Sequence, residues 1–442
     1  MENKNIKIIF LDDWSQSFEH IVKKLVNILG TGDITYKLIH LDSINNKDKA
    51  ITRNNINGIE VRDMYTYSKM YNILKALKLE KPDLVFVFDK GSLTQRAFVH
   101  ACRKLNVKCI QLQHGLLVTS EDNDKLTTSD KKRGMDFYFH SLAKVIISVI
   151  IYIKTCLRVD PLFFFKDNRA NYLISFFTNY KSFFHDKRND VLCDEVFCFS
   201  EKDRNTLIKC DTYSPEAVKV VGNYFMEDVL TYLDRPVESI KKDFCRENSL
   251  PEDCEIITLV SQALAEDNWE DFKEQKICKF LEDVYYTSLK HGNRYLIVKL
   301  HPRENLQKYS RIFSNKETCS RIRFIKEGDM NALMRISDVV IGFFSAALMN
   351  AMILNKPVYV VKWLTNQEYP LDYAKLNMAG ELKSITDLEE IMDKLQTQTE
   401  KTQDNGIDFY IGPPFSRNKF RKEVLELLSR GENMLKTSGN AV

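Results

Sequence analysis

Residues 294–305 read RYLIVKLHPREN, an apolar run that carries Lys299, His301 and Arg303 to its end and is stopped by Pro302. The spacing predicts a buried strand with the side chains of 299, 301 and 303 on one side. Three cation-capable groups at a strand end of an α/β sheet suit a phosphate or diphosphate, because Lys and Arg compensate charge and His can also donate a proton. Parallel sheets place their ligands at such carboxyl ends.

The neighbouring segments carry the same signal. Residues 337–361, SDVVIGFFSAALMNAMILNKPVYVV, read as strand, turn, helix and strand. Gly342 ends the strand, Ser345 is placed to cap the helix, and the backbone N–H groups from Phe344 to Ala347, those of Ser345 and Ala346 among them, are expected to form an anion site. Residues 255–267, EIITLVSQALAED, read as a strand followed by Ser261 and Gln262, a pair suited to contacting a nucleotide or its phosphate. With strands expected at 255–260, 294–300, 322–325, 339–341 and 357–361, residues 250–415 form a parallel, nucleotide-binding domain. No GxGxxG or GxxxxGK[ST] run occurs, which disfavours dinucleotide oxidoreductases and P-loop ATPases.

The first half alternates in the same way, with strands expected at 6–11, 36–41, 84–88, 107–112, 195–199 and 217–221 and amphipathic helices between them. Residues 1–235 thus form a first Rossmann-like domain. The stretch 233–248, bounded by Pro236 and Pro251, reads as an interdomain crossing, and a last helix within 416–442 is expected to pack back onto the first domain. The fold class is α/β, two doubly wound Rossmann-like domains facing a cleft. Residues 125–190 interrupt the alternation with basic KKRG at 131–134, apolar VIISVIIYI at 145–153 between Lys144 and Lys154, and aromatic LFFF and YLISFF runs. This helical insertion is either an extra pair of core-packed helices or a membrane-surface or acceptor-docking patch.

In the first domain CIQLQHGLL, residues 109–117, puts His114 between a buried strand and Gly115, where its imidazole can serve as general base. Asp89, ending the strand in VFVFDKGS, can orient His114 or act as base itself, whereas Asp12 and Asp13 suit helix caps.

Composition narrows the classes. At 442 residues, with 44% hydrophobic and 28% charged residues, the chain fits two globular domains. Sixty-four Lys and Arg against 61 Asp and Glu leave only +3, which gives no reason to expect nucleic acid as a partner. Ten cysteines without a CxxC pair suit a reducing compartment, and MENKNIKIIFLDDW lacks the features of a signal peptide, so a cytoplasmic location is expected, with peripheral attachment to the inner membrane face through the insertion. No Cys/His spacing matches zinc and no DxD-type acidic pair follows a strand in the second domain, so no metal or other cofactor is expected.

In the second domain, Gln262, the His301-Pro302-Arg303-Glu304 run and the Phe344-Ser345-Ala346-Ala347-Leu348 turn resemble, in that order, the motifs of the GT-B glycosyltransferases of bacterial surface polysaccharide synthesis. The CMP-sugar-dependent sialyl-, polysialyl- and Kdo-transferase groups are the most similar. Two departures stand out. The family's Ser pair is Phe344-Ser345 here, and its acidic Asp-Gly turn is Gln113-His114-Gly115, a QHG turn also similar to capsule and teichoic-acid transferases. The resemblance implies transfer of a sugar from a nucleotide sugar, a CMP-sugar such as sialic acid or Kdo in the first place, to a glycan or lipid-linked acceptor without an essential metal. His301 would assist donor departure, with Gln262, Lys299, Pro302, Arg303, Ser345 and Ala346 around the nucleotide and phosphate. His114 and Asp89 would serve the acceptor. The alternatives are a CDP-polyol transferase, a UDP-sugar 2-epimerase and a non-catalytic nucleotide- or glycan-binding scaffold.

Overall fold

The computed structural model describes residues 5–12, 19–40, 55–56, 58–64, 72–88, 93–114, 135–162, 192–211, 213–264, 274–290, 293–305, 307, 309, 321–365, 369, 372–395 and 412–438. Contacts divide the described chain into two units: residues up to Gly222 together with the stretch from Phe415, and Asn223–Pro414.

The first unit runs β1 (Ile6–Asp12), α1 (Glu19–Leu29), β2 (Ile34–His40), β3 (Asn55–Ile56), β4 (Ile59–Asp63), α2 (Ile73–Glu80), β5 (Leu84–Val87), α3 (Leu93–Leu105), β6 (Lys108–Leu112), α4 (Met135–Val159), β7 (Glu195–Cys198), α5 (Glu201–Asp211) and β8 (Val218–Val220). Its strands lie in the order β3-β4-β2-β1-β5-β6-β7-β8. All are parallel except the β3–β4 pair. The alternating apolar runs become this sheet because both of its faces are covered, so strands such as β5 and β7 are buried at every residue. The short β3–β4 hairpin escaped the strand expectations, although its Asn57-Gly58 dipeptide is a hairpin signal and Gly58 has φ +84.

The insertion contributes one described helix, α4, where a pair was one of the two expectations; residues 115–134 and 163–191 lie outside the described chain. Val149, Ile151, Tyr152 and Cys156 join Phe98 and Cys102 of α3 in one core cluster. The opposite stripe leaves Ile146, Ile150 and Leu157 exposed by 45%, 41% and 41%. Helix α4 is thus core-packed on one side and apolar on the other.

The second unit runs α6 (Glu227–Leu230), α7 (Val237–Asn248), β9 (Glu255–Val260), α8 (Glu274–Ser288), β10 (Arg294–Lys299), β11 (Ile322–Ile325), α9 (Met330–Ile336), β12 (Val339–Gly342), α10 (Ala347–Ile353), β13 (Val358–Val361), β14 (Gly380–Leu382) and α11 (Ile385–Lys394). The sheet order is β11-β10-β9-β12-β13-β14, with every pair parallel. The stretch read as a crossing is therefore in large part helix α7, which sinks Ile240 and Cys245 against Ile256 and Ile297. The units part at Gly222, earlier than the prolines suggested, since proline is tolerated just before a helix as well as in a linker. Strand β14, too short for a periodic pattern, was also not anticipated.

The last helix, α12 (Arg417–Ser438), belongs to the first unit. Phe420 meets Phe197 edge-on at 5.3 Å, and Arg430 pairs with Glu195 at 3.0 Å.

Strand order in the second sheet reverses between β9 and β12, and a Cβ on Gly342, the last residue of β12, would meet Leu348 Cδ2 of α10 at 2.8 Å. Gly342→Ala must displace Leu348 and with it the turn between them. A loss of about 1–3 kcal/mol is expected, typical of an overpacked core; an unchanged denaturant midpoint would show that the turn yields freely.

Candidate active site

The strand order reverses between β9 and β12, and Gln262 and the Ser345 turn follow these two strands, with the His301 turn after the neighbouring β10. Gln262, after β9, reaches across the reversal and accepts the Phe344 N–H on Oε1 at 3.0 Å. It thus brackets the two strand ends, and its carbonyl oxygen is engaged within the protein.

The turn after β12 is fixed from three sides. Besides the Gln262 contact, Ser345 Oγ accepts the Ala347 N–H at 3.2 Å, and the Ser345 carbonyl accepts the Tyr373 hydroxyl at 3.2 Å. The Phe344 ring packs on Tyr369 at 4.9 Å. The expectation of four free N–H groups is corrected accordingly: those of Phe344 and Ala347 are used, and those of Ser345 and Ala346 take no acceptor among the described residues. Ser345 is not the N-cap that was expected: Ala346 holds that place without a side-chain cap bond, and the Ser345 oxygen serves the N–H two residues on.

Beyond β10 the strand gives way to a turn, and Lys299, His301 and Arg303 meet different outcomes. Lys299 is only 7% exposed, and its ammonium donates to the Lys326 carbonyl. Burial draws the Lys299 pKa below its ordinary value, against the opposing pull of Glu327. Its charge stands behind the site while its donor is engaged with the loop after β11. His301 is half-buried, and Pro302 and Arg303 are exposed. His301 Nδ1 accepts the Arg303 N–H at 3.2 Å, so in the neutral ring the proton sits on Nε2. The imidazole is thereby preset as a donor.

Two participants, Tyr309 and Lys326, went unassigned in the sequence, and Ser261, read there as a nucleotide or phosphate contact, turns inward with them: all three converge on Glu304, the last residue of the HPRE run. A charged residue three places from a histidine in an exposed turn is no signal of burial; only the folded turn shows that Glu304 is 1% exposed.

In the first unit, His114 follows β6 and is exposed, and its Nδ1 lies 2.8 Å from the Phe88 carbonyl at the end of β5. A carbonyl only accepts, so Nδ1 carries the proton and Nε2 is the basic nitrogen. Its neighbour Gln113 is buried and structural: Nε2 donates to Asp203 at 3.0 Å and Oε1 accepts the Phe199 N–H at 2.9 Å, tying β6 to the turn after β7. Burial raises the Asp203 pKa despite the hydrogen bonds from Gln113 and Ser200. Asp89 and Asp13 lie outside the described residues, as does the side chain of Asp12. Among the described residues no group of three or more His, Cys, Asp or Glu side chains is placed to hold a metal ion.

The comparisons accord with this geometry. The chain is similar along 95% of its length to all of the UDP-GlcNAc 2-epimerase from Methanocaldococcus jannaschii, at 16% identity and a TM-score of 0.54. Over 98% of its length it is similar to 90% of the wall teichoic acid polymerase TagF, at 14% identity and a TM-score of 0.51. A third likeness, covering 96% of this chain and 100% of the other at 14% identity and a TM-score of 0.52, is to UDP-GlcNAc 2-epimerase from Neisseria meningitidis. At these identities the likeness establishes the fold, two Rossmann-like α/β units of the GT-B class. No curated protein matches the chain. A family model described as Alpha-2,8-polysialyltransferase (POLYST) matches residues 36–361, which takes in His114, the HPRE turn and the Ser345 turn. With that match across most of its length, the chain belongs to the alpha-2,8-polysialyltransferase family and is a glycosyltransferase.

Proposed function

We propose that this protein transfers a sialyl residue from CMP-sialic acid to a glycan or lipid-linked acceptor in surface polysaccharide synthesis, without an essential metal. The observation that carries the reading is the opposite presetting of the two histidines. His114 keeps a lone pair on Nε2 and is poised to accept a proton, whereas His301 keeps a proton on Nε2 and is poised to donate one.

In the reaction, the acceptor hydroxyl gives its proton to His114 Nε2 as its oxygen bonds to the anomeric carbon of the donor. The bond from that carbon to the phosphate oxygen breaks, and CMP leaves with the electron pair. Charge growing on the phosphate is met by His301 Nε2–H, by the exposed Arg303 guanidinium and by the N–H groups of Ser345 and Ala346. Lys299 contributes from behind, through field rather than contact. These donors supply the stabilisation that a divalent cation provides in other transferases, which supports the metal-independent reading.

The exposed Ile146, Ile150 and Leu157 stripe of α4 lies beside Lys154 and Arg158, a pairing suited to an anionic membrane surface. Peripheral attachment at the cytoplasmic membrane face would bring a lipid-linked acceptor to the enzyme. Among the described residues no helix is long and apolar enough to cross a membrane.

Two experiments test this reading. In a thermal-shift series of CMP, CDP, UDP and GDP, only CMP at about 100 times its dissociation constant should stabilise, by about 2.7 kcal/mol. His301→Ala should lower kcat about 10²- to 10⁴-fold and weaken CMP binding, while His114→Ala should lower kcat by a similar factor with CMP affinity retained. A CDP- or UDP-selective shift would replace the donor, and small, equal effects of both substitutions would remove the acid–base assignment. For attachment, the wild type should cosediment with vesicles of anionic phospholipid. Ile146→Asp with Ile150→Asp should cut binding more than tenfold, and equal binding would exclude the α4 stripe.

A further inference from the structure

Within the HPRE turn the exposure is inverted: Pro302 and Arg303 are exposed, while the carboxylate residue Glu304 is 1% exposed. Its two oxygens are occupied from three directions. Oε1 accepts the Tyr309 hydroxyl at 2.5 Å; Oε2 accepts the His301 backbone N–H at 2.7 Å and the Ser261 hydroxyl. The Glu304 carbonyl accepts the Lys326 ammonium at 2.9 Å. Two hydroxyls and one backbone N–H donate to the carboxylate, so both of its oxygens serve as acceptors. A buried carboxylate is costly unless satisfied in this way.

The side chains among these partners belong to two strands, β9 and β11. Ser261 follows β9, Lys326 follows β11, and Tyr309 is stacked on Phe324 of β11 at 5.5 Å. Glu304 therefore ties the ends of β9 and β11 to the backbone of the residue that carries the candidate acid. The Glu304 N–H also closes the turn onto the His301 carbonyl at 2.9 Å, and among the described residues the His301 ring takes its hydrogen bond from the Arg303 N–H within that same turn. The direction of Nε2–H thus depends on the shape of residues 301–304.

We propose that Glu304 is a positioning residue of the transferase: its carboxylate, through Ser261 and Tyr309, fixes the turn that aims His301 at the leaving phosphate. The inference rests on the assignment of His301 above. Misplacement by about 1 Å costs on the order of 10²-fold in rate. Glu304→Ala should therefore lower kcat roughly 100-fold with the donor KM changed less than about threefold. Glu304→Gln, which still accepts the His301 N–H on its oxygen, should recover at least about tenfold of that loss.

The deciding measurement is a double-mutant cycle on kcat with His301→Ala. If Glu304 acts through His301, adding Glu304→Ala to His301→Ala costs less than about threefold more. Full, multiplicative losses in the double variant would overturn the proposal while leaving the transferase reading in place. A His301→Ala variant with unimpaired transfer would overturn both. Should Glu304→Ala fail to melt cooperatively, the same cycle is run with Ser261→Ala, which removes one donor from Oε2; there too, a rate loss independent of His301 overturns the proposal.

Discussion

The second sheet is organised by a topological constraint: its chain leaves β9 toward β10 and β11 on one side and returns to β12, β13 and β14 on the other. Neighbouring strand ends that feed connections in opposite directions cannot share a connection, so a crevice opens between them at the carboxyl edge. Everything that bears on nucleotide chemistry in this unit stands around that opening. Gln262 spans it, the Ser345 turn forms one side of it and the HPRE turn lies on the next strand.

The way the crevice is held explains why apparent ligands turn out to be supports. A loop at a strand end has few regular backbone partners, and each buried N–H or C=O must find another. Gln262 answers for Phe344, Tyr373 for the Ser345 carbonyl, Lys299 for the Lys326 carbonyl and Glu304 for the His301 N–H. The polar residues of these motifs divide into those that hold the backbone from within and those nearer the surface, where His301 is half-buried and Arg303 exposed. The first unit follows the same division at one strand end, where Gln113 is locked onto Asp203 and Phe199 while His114 beside it is exposed.

Helix α4 shows a related division on a larger scale. Its core side packs into α3, which fixes the helix, and the apolar stripe on its other side is then held at the surface. The core-packed reading of this apolar segment describes one side of the helix, and the other side stays apolar and exposed, because a helix has two sides and only the packing decides which is covered.

The sequence by itself determined the alternation of strands and helices, the parallel sheets, and the strand ends that carry His114, His301 and Ser345. Period-two apolar runs stopped by Pro302, Gly342 or the QHG turn are local signals that need no tertiary partner. It did not determine the strand order, the boundary at Gly222, the β3–β4 hairpin or the identity of α7 as a packed helix, which depend on contacts distant in sequence. Nor did it separate holders from ligands. Whether Lys299 or Arg303 is exposed, and whether a histidine nitrogen carries a proton, is set by which carbonyl or N–H lies within about 3 Å. The fold alone brings Lys326 to Lys299, Tyr309 and Ser261 to Glu304, and the Phe88 carbonyl to His114.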